Sequence, residues 1–310
     1  MPPALQIILA RPRGFCAGVN RAITIVNQAI ERFAPPVYVL HEIVHNTHVL
    51  EELRQKGAIF VEELEQIPYG AVTVFSAHGV AKGVAERANQ LGLRVIDATC
   101  PLVSKVHKRM IRLEELGYAL LVIGHKGHPE VEGTCGQVER PVHVLSRPEE
   151  VTNLTIEPHR PIAYVTQTTL SIDDTEAMLG VLRQRFPGIN EPERTDICYA
   201  TTNRQVAVKR LADQVELVLI VGSKNSSNSN RLREVAELRQ TSAYLIDDAS
   251  EIDPEWLEGV GRVGISAGAS APEHLVVEVI DYLHQMRSCE VCEMDGEEEH
   301  INFHVPALGV

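Results

Sequence analysis

The chain has 310 residues, which suits two or three domains better than a single core. Hydrophobic residues make up 44% and charged residues 23%, as in ordinary globular proteins. A net charge of −13 and an aromatic content of 5% argue against a general nucleic-acid surface, which needs basic grooves and stacking side chains. One small anion can still bind through neutral donors and helix N-termini.

The N-terminal segment lacks the basic stretch of a secretory signal, and no apolar run is long enough to span a bilayer. A cytoplasmic location without a membrane partner is therefore expected. Six cysteines in such a chain predict reduced thiols, metal ligands or catalytic groups rather than a disulfide framework.

Short apolar runs alternate with amphipathic helical patterns along the chain, which predicts an α/β fold with mainly parallel sheets. Strands are predicted at 6–10, 37–40, 71–76, 93–98, 118–124, 161–166, 216–222, 243–247 and 262–266. Helices are predicted at 19–33, 46–56, 81–91, 101–116, 171–186, 200–214, 228–240 and 272–286.

A weak internal repeat accompanies this alternation, because Cys16, Cys100 and Cys198 each come directly before a predicted helix. The repeat predicts three similar α/β domains at 14–98, 99–196 and 197–286, in a pseudo-threefold ring with the cysteines near its axis. The strand within residues 1–13 is expected to join the third domain. Residues 287–310 are interpreted as a solvated acidic tail with one late strand at 301–305.

Three thiols at loop-to-helix junctions have a functional and an ordinary interpretation. A helix N-terminus stabilises a thiolate, and three thiolates suit a soft metal or an iron–sulfur cluster with one iron open. Buried core cysteines are an equally good explanation from the pattern alone. Cys135, Cys289 and Cys292 are assigned to no site, and the C-x-x-C pair is expected to be dispensable.

Polar residues collect where predicted strands end, which is where a parallel sheet presents a ligand site. His45, His78 and His128 can donate hydrogen bonds to phosphate, although zinc binding is an alternative for a set of histidines and cysteines. The segments 222–230 and 266–272 predict an oxyanion cradle at helix N-termini, or else simple caps.

Glu130 is the carboxyl nearest the predicted anion site and a candidate proton carrier, although acids in a first helical turn are often only dipole partners. Thr168 and Thr169 follow a strand and can hold a substrate hydroxyl or cap the next helix.

Nine segments resemble the 4-hydroxy-3-methylbut-2-enyl diphosphate reductase family, in the family's order, from about residue 6 to 285. They are PRGFCAGVNRA, HEIVHN, FSAHGV, DATCPLVSKVH, GHPEVEGT, TQTTLS, DICYATTNRQ, VGSKNSSNSNRL and AGASAP. Cys135, Cys289 and Cys292 have no counterpart in this pattern.

The resemblance implies a ring of α/β domains around a 4Fe–4S cluster. It implies that the cluster is ligated by Cys16, Cys100 and Cys198. It further implies that the substrate is held by His45, His78, His128, Thr168, Ser226, Ser227, Asn228 and Ser270. The implied catalytic residues are Glu130, His128 and Thr168, with Glu130 delivering protons and Thr168 beside the substrate hydroxyl. Two electrons and two protons would remove the substrate hydroxyl as water and give isopentenyl and dimethylallyl diphosphate, with electrons from a carrier such as ferredoxin or flavodoxin.

Three alternatives remain open at this point. One is a quinolinate synthase-like cluster dehydratase, which needs no external electrons. The second is a zinc hydrolase that uses the same cysteines and histidines. The third is a redox sensor in which Cys289 and Cys292 act as the switch.

Overall fold

The computed structural model describes residues 4–157 and 159–308. The strands are β1 (Leu5–Leu9), β2 (Val37–Leu40), β3 (Ala58–Val61), β4 (Val72–Phe75), β5 (Arg94–Asp97), β6 (Ala119–Ile123), β7 (Val142–Leu145), β8 (Ile162–Thr166), β9 (Leu217–Val221), β10 (Ser242–Ile246), β11 (Arg262–Ala267) and β12 (Cys289–Glu293). The helices are α1 (Ala17–Phe33), α2 (Thr47–Gln55), α3 (Lys82–Gln90), α4 (Pro101–Glu115), α5 (Pro129–Cys135), α6 (Ile172–Arg185), α7 (Tyr199–Ala212), α8 (Ser227–Leu238) and α9 (Glu273–Met286).

The strands form three sheets, with the orders β10-β9-β11-β1-β12, β3-β2-β4-β5 and β7-β6-β8. Their strand pairs are parallel throughout. The predicted α/β class with parallel sheets is therefore confirmed. The first strand pairs with β11 in the sheet of the C-terminal region, as the sequence predicted.

The described chain divides into two compact units. One contains the residues up to Val19, His45–Glu51 and Tyr199–Asn302, and it holds the five-stranded sheet. The other contains Asn20–Val44, Glu52–Cys198 and the residues from Phe303 onward, with the four- and three-stranded sheets. The three-domain boundaries given above stay a prediction.

Buried strands explain the near-continuous apolar runs in the sequence. Every residue of β6, β8 and β9 is buried, as expected for parallel strands covered on both faces. In the five-stranded sheet, Ile7, Val263 and Ile265 pack with the buried face of α9. Among the described residues, no helix is both long and apolar enough to cross a membrane.

The C-terminal segment differs from its prediction. The late strand lies at β12, not at 301–305, where the chain has no regular structure. β12 pairs in parallel with β1, from Leu5 with Cys289 to Leu9 with Glu293. The stretch INFHV has the composition of a strand, but it pairs with no strand among the described residues, and pairing decides strand formation.

Candidate active site

The three predicted cluster cysteines share one backbone arrangement. In each case the cysteine N–H donates to the carbonyl of a residue two positions beyond the end of a strand. The pairs are Cys16 with Ala269 after β11 (3.1 Å), Cys100 with Ala77 after β4 (3.0 Å), and Cys198 with Thr168 after β8 (3.1 Å). Each cysteine is then followed at once by a helix: α1, α4 or α7.

The chain also approaches each cysteine in a similar way. β1, which leads to Cys16, pairs with β11, and β5, which leads to Cys100, pairs with β4. Asn190, upstream of Cys198, forms an isolated bridge to β8. The repeat predicted from the cysteines therefore recurs in hydrogen bonding, although the three sequences share little else.

Glu130 and Thr168 form a buried pair in the second unit. The Thr168 N–H donates to Glu130 Oε1 at 2.6 Å, and the Thr168 hydroxyl donates to Glu130 Oε2 at 3.0 Å. Burial raises the pKa of the Glu130 carboxyl to about 7, and the two bonds from Thr168 oppose that rise. The carboxyl can therefore exchange a proton near neutral pH.

His78 and His128 lie together in the same unit. Their ring centroids are 5.7 Å apart in an edge-to-face arrangement. His128 caps α5, because its Nδ1 accepts the Glu130 N–H at 3.1 Å. With Nδ1 acting as an acceptor, the ring proton is on Nε2, which can donate to a ligand.

The conformation of the loop that carries His78 requires a glycine at position 79. Gly79 has a φ of +76°, and a Cβ there would lie 2.6 Å from Cε1 of His107. Burial lowers the pKa of His107 to about 4, so this ring is neutral at physiological pH. A neutral ring can pack against Gly79 without placing a buried charge under the loop.

The first unit carries the predicted oxyanion cradle at the start of α8. Ser226 caps the helix, and its Oγ accepts both the Ser229 N–H (3.2 Å) and the Ser229 hydroxyl (3.0 Å). The Ser226 hydroxyl hydrogen therefore remains to be donated. Asn228 Oδ1 accepts the Ala269 N–H at 2.8 Å, which fixes the amide with Nδ2 as a donor. That buried Nδ2 has no hydrogen-bond partner among the residues that the structure describes.

His45, Ser227 and Ser270 belong to the same unit. The Ser270 hydroxyl donates to the His45 carbonyl at 2.8 Å, which joins the end of one predicted binding loop to another. Ser227 is half-buried in the first turn of α8. Of the twelve predicted site residues, six belong to the first unit and six to the second.

Glu130 and Asn228 occupy equivalent places. Each is the second residue of its helix, and each side chain accepts the N–H of a residue two positions beyond a strand, Thr168 or Ala269. The carbonyls of those residues accept the N–H groups of Cys198 and Cys16. Thr168 therefore links Glu130 to Cys198, and Ala269 links Asn228 to Cys16 in the same way.

Several supporting residues escaped sequence analysis. Asp97 accepts the Thr99 N–H at 2.8 Å just before Cys100, and Asp196 accepts the Thr166 N–H at 3.2 Å. Burial raises the pKa of Asp196. The recurrence of Asp shortly before Cys, in DATC and DIC, was an available signal. Arg204 donates to the Gly14 carbonyl, 190 residues away in the sequence, and no sequence signal pointed to this contact.

Cys135, Cys289 and Cys292 lack the properties expected of metal ligands or redox-active thiols. Burial raises the pKa of the Cys135 thiol to about 11, so it is a poor ligand or nucleophile. Cys289 and Cys292 lie three residues apart in an extended strand, with their Cα atoms about 10 Å apart at about 3.3 Å per residue. A disulfide requires less than about 7 Å, so the two cysteines of the folded strand cannot bond to each other as the redox-sensor alternative would need.

A single-ion zinc site also lacks support. Within residues 4–157 and 159–308, no three His, Cys, Asp or Glu side chains are placed to hold one metal ion. Cysteines that ligate a cluster bind different iron atoms and need not converge on one point.

A family model described as LytB protein matches residues 7–284 of this chain. The chain belongs to the LytB family. The match covers most of the chain and includes all twelve predicted site residues. The β12 strand and the segment after it lie outside the match.

Curated relatives in the LytB family carry the name 4-hydroxy-3-methylbut-2-enyl diphosphate reductase. The Azoarcus sp. (strain BH72) protein is 56% identical over 97% of this chain and 96% of its own length. The Shewanella halifaxensis protein is 51% identical over 98% of this chain and 99% of its own.

Solved structures agree with this membership. The reductase structure from Plasmodium falciparum has a TM-score of 0.93 and 36% identity, covering 98% of this chain and 95% of that one. A second reductase structure, described as the terminal enzyme of the non-mevalonate pathway, has a TM-score of 0.66 and 33% identity, covering 91% and 99%.

Proposed function

We propose that this LytB-family protein is an iron–sulfur reductase that converts 4-hydroxy-3-methylbut-2-enyl diphosphate to isopentenyl and dimethylallyl diphosphate. The observation that carries the proposal is the buried pair of Glu130 and Thr168, whose Thr168 carbonyl accepts the Cys198 N–H. A proton donor and a soft metal ligand are thereby joined through one residue. The reaction takes up two electrons and two protons and releases water.

The cysteines fit a 4Fe–4S cluster by their chemistry. Cys16, Cys100 and Cys198 are thiols that each precede a helix, where a thiolate is stabilised. Their backbones are fixed by the three matching N–H bonds. Three protein ligands leave one iron available, and a bound cluster supplies electrons and a Lewis acid for the substrate hydroxyl.

The diphosphate would be held by donors from α8 and the neighbouring loops. Ser226 and Asn228 provide a hydroxyl and an amide donor at the positive end of a 12-residue helix. His45, Ser227 and Ser270 would complete the set in the first unit, with the Ser270 hydroxyl rotating away from the His45 carbonyl. His78 and His128 would add imidazole donors.

Glu130 would deliver the proton for the leaving hydroxyl. Because its pKa lies near 7, the carboxyl is protonated in a large fraction of molecules at neutral pH. His128 is less suited to this step, since its Nδ1 lone pair caps α5 and its Nε2 proton would bind phosphate. Thr168 would orient both the carboxyl and the substrate hydroxyl.

The electron donor would be a small acidic carrier such as a ferredoxin or flavodoxin. α4 begins directly after Cys100 and carries four cations on one side: Lys105, Lys108, Arg109 and Arg112. Lys108 and Arg112 have no ion-pair partner among the described residues, and Lys105 and Arg109 lie near the buried Asp196. In a chain of net charge −13, such a face favours a partner of opposite charge. Free cysteine thiols favour a reducing, cytoplasmic location.

The test is an anaerobic assay of purified protein with the hydroxylated diphosphate and dithionite-reduced methyl viologen. We expect a brown protein with near-equal iron and sulfide that forms both products. Turnover that needs no reductant would instead indicate the dehydratase. Activity that follows added zinc in iron-free protein would indicate the hydrolase.

A further inference from the structure

We infer that Glu299, in the C-terminal segment, is a positioning residue for Cys16 and acts through Arg204. The inference rests on the proposed role of Cys16 as a cluster ligand. It concerns a part of the chain beyond the family match, which ends at residue 284. All residues involved belong to the first unit.

Arg204 holds the loop that leads into Cys16. Its Nε and Nη2 donate to the Gly14 carbonyl at 3.0 and 2.8 Å, and Nη2 also reaches the Phe15 carbonyl at 3.4 Å. The guanidinium is fully buried. These carbonyls belong to the two residues immediately before the cysteine.

Glu299 provides the charge that this buried guanidinium requires. Its two carboxylate oxygens lie 3.0 Å from Nη1 and 3.1 Å from Nη2 of Arg204. Side-chain exposure is 1% for Arg204 and 14% for Glu299, whereas the paired carboxylates of Glu293 and Glu298 are 41% and 58% exposed. The Asn203 amide also donates to Glu299 at 3.1 Å.

Backbone contacts fix the C-terminal segment just before Glu299. β12 pairs with β1, and the Met294 N–H donates to the Leu9 carbonyl at 3.0 Å. A Cβ at Gly296 would lie 1.9 Å from the Arg11 carbonyl oxygen, so only glycine allows this approach. Glu299 is therefore held by anchored backbone.

The loop before Cys16 is bound from two directions. The Gly14 and Cys16 N–H groups donate to the carbonyls of Ala267 and Ala269 at 3.1 Å each. The loop's own carbonyls bind Arg204. Without Glu299, the buried guanidinium would lose its counter-charge and would be drawn towards water, because an uncompensated buried charge is strongly unfavourable. The loop would then lose one of its two supports.

The experiment compares Glu299→Ala and Glu299→Gln with the matched control Glu298→Ala. Glu298 is adjacent and pairs with Arg11, but both side chains are exposed, at 58% and 40%. Each holoprotein is reconstituted anaerobically and then challenged with an iron chelator. The measurements are iron and sulfide per chain, the rate of iron loss, and the electron paramagnetic resonance spectrum of the reduced cluster.

We expect Glu299→Ala to retain iron about 10–100-fold less well than wild type, as when an outer partner of a metal ligand is removed. Glu298→Ala should match wild type. If Glu299→Ala does not fold, Glu299→Gln supplies the comparison, and its apoprotein melting temperature separates global stability from cluster retention. Iron loss and a spectrum equal to wild type in the Glu299 variants would overturn the inference. A wild type that holds no iron would instead reject the proposed function.

Discussion

At the scale of single residues, the contrast between Glu130 and Asn228 is informative. Each side chain accepts the N–H of a residue whose carbonyl accepts the N–H of a predicted cluster cysteine. Both side chains therefore support the backbone in the same way. They differ in what remains: a titratable carboxyl for Glu130 and a neutral amide donor for Asn228. This difference is the basis for proposing proton transfer by Glu130 and anion binding by Asn228.

Glu130→Gln should abolish most turnover while leaving the cluster intact. The amide keeps the size of the side chain, and the Thr168 hydroxyl can reverse its hydrogen bond, but no proton can be delivered. We expect a loss of about 10²–10⁴-fold in kcat, with wild-type colour and iron content. For wild type, kcat should fall as pH rises above about 7. A Glu130→Gln enzyme with normal kcat and a lowered melting temperature would show that Glu130 only stabilises the first turn of α5.

The same carboxyl should also make stability depend on pH. Its pKa is raised from 4.5 to about 7 on folding. A raised pKa means that its stabilisation is complete below about pH 4.5 and lost as pH rises through about 7. Denaturant unfolding of iron-free protein should therefore show wild type losing stability relative to Glu130→Gln between pH 5 and pH 8. A constant difference across that range would contradict the assignment.

Asn228→Asp separates binding from backbone support. Aspartate keeps the oxygen that accepts the Ala269 N–H but replaces the Nδ2 donor with a negative oxygen. We expect the KM for the diphosphate to rise by at least about tenfold, since a charge-assisted bond is worth about 1.5–3 kcal/mol. Iron content should stay at the wild-type level. An unchanged KM would remove Asn228 from the anion site.

At the scale of elements, the loops after β9 and β11 close around one serine. A Cβ at Gly222 or Gly268 would lie 2.2 or 2.0 Å from Ser229 Oγ. Ser229 is fully buried and binds Ser226, the cap of α8. The two glycines therefore determine how closely the cradle loops approach the helix.

Gly268→Ala should displace Ser229 and disturb the start of α8. Overpacking of this kind costs about 1–3 kcal/mol, which denaturant unfolding can measure. We also expect weaker diphosphate binding, because Ser226 and Asn228 are in the affected turn. The control is Gly188→Ala, where a Cβ would meet no atom within 4 Å. Equal stability of the two variants would show that the loops tolerate the methyl group.

The cationic face of α4 can be tested by charge reversal. Lys105→Glu with Lys108→Glu should slow reduction by an acidic ferredoxin about 10–10³-fold at low salt, and the difference should shrink as salt rises. Turnover with reduced methyl viologen should be unchanged. The control pair is Arg32→Glu with Lys56→Glu, which are exposed cations on other elements. Equal ferredoxin rates for both pairs would place the carrier elsewhere.

Helices and strands were predicted well where the element is long enough to show a helical periodicity or a clear apolar run. The predicted strand at 37–40 agrees with β2, and the predicted helix at 101–116 differs from α4 by one residue. The short elements β3, β7 and α5 were missed, since four to seven residues contain too little periodicity. β12 was missed because its two acids, Glu290 and Glu293, suit a solvated segment, and only the neighbouring β1 makes it a strand.

At the scale of the whole molecule, motifs predicted the site residues, but the contacts that support those residues come from distant parts of the chain. Arg204 and Glu299 are 95 residues apart. The acidic composition of residues 290–299 suggested a solvated tail, yet Glu293, Glu298 and Glu299 pair with Arg13, Arg11 and Arg204. Composition gives the charge of a segment and not the partners that its backbone path brings near.

The position of β12 has a further consequence for how the protein behaves in concentrated solution. β1 has the sequence LQIIL, a short uncharged strand of the kind that pairs readily with other chains. β12 occupies one side of it, and its own outer edge carries Glu290 and Glu293. A chain shortened before Cys289 would offer β1 as an open edge, so the acidic segment also protects the protein against self-association into aggregates.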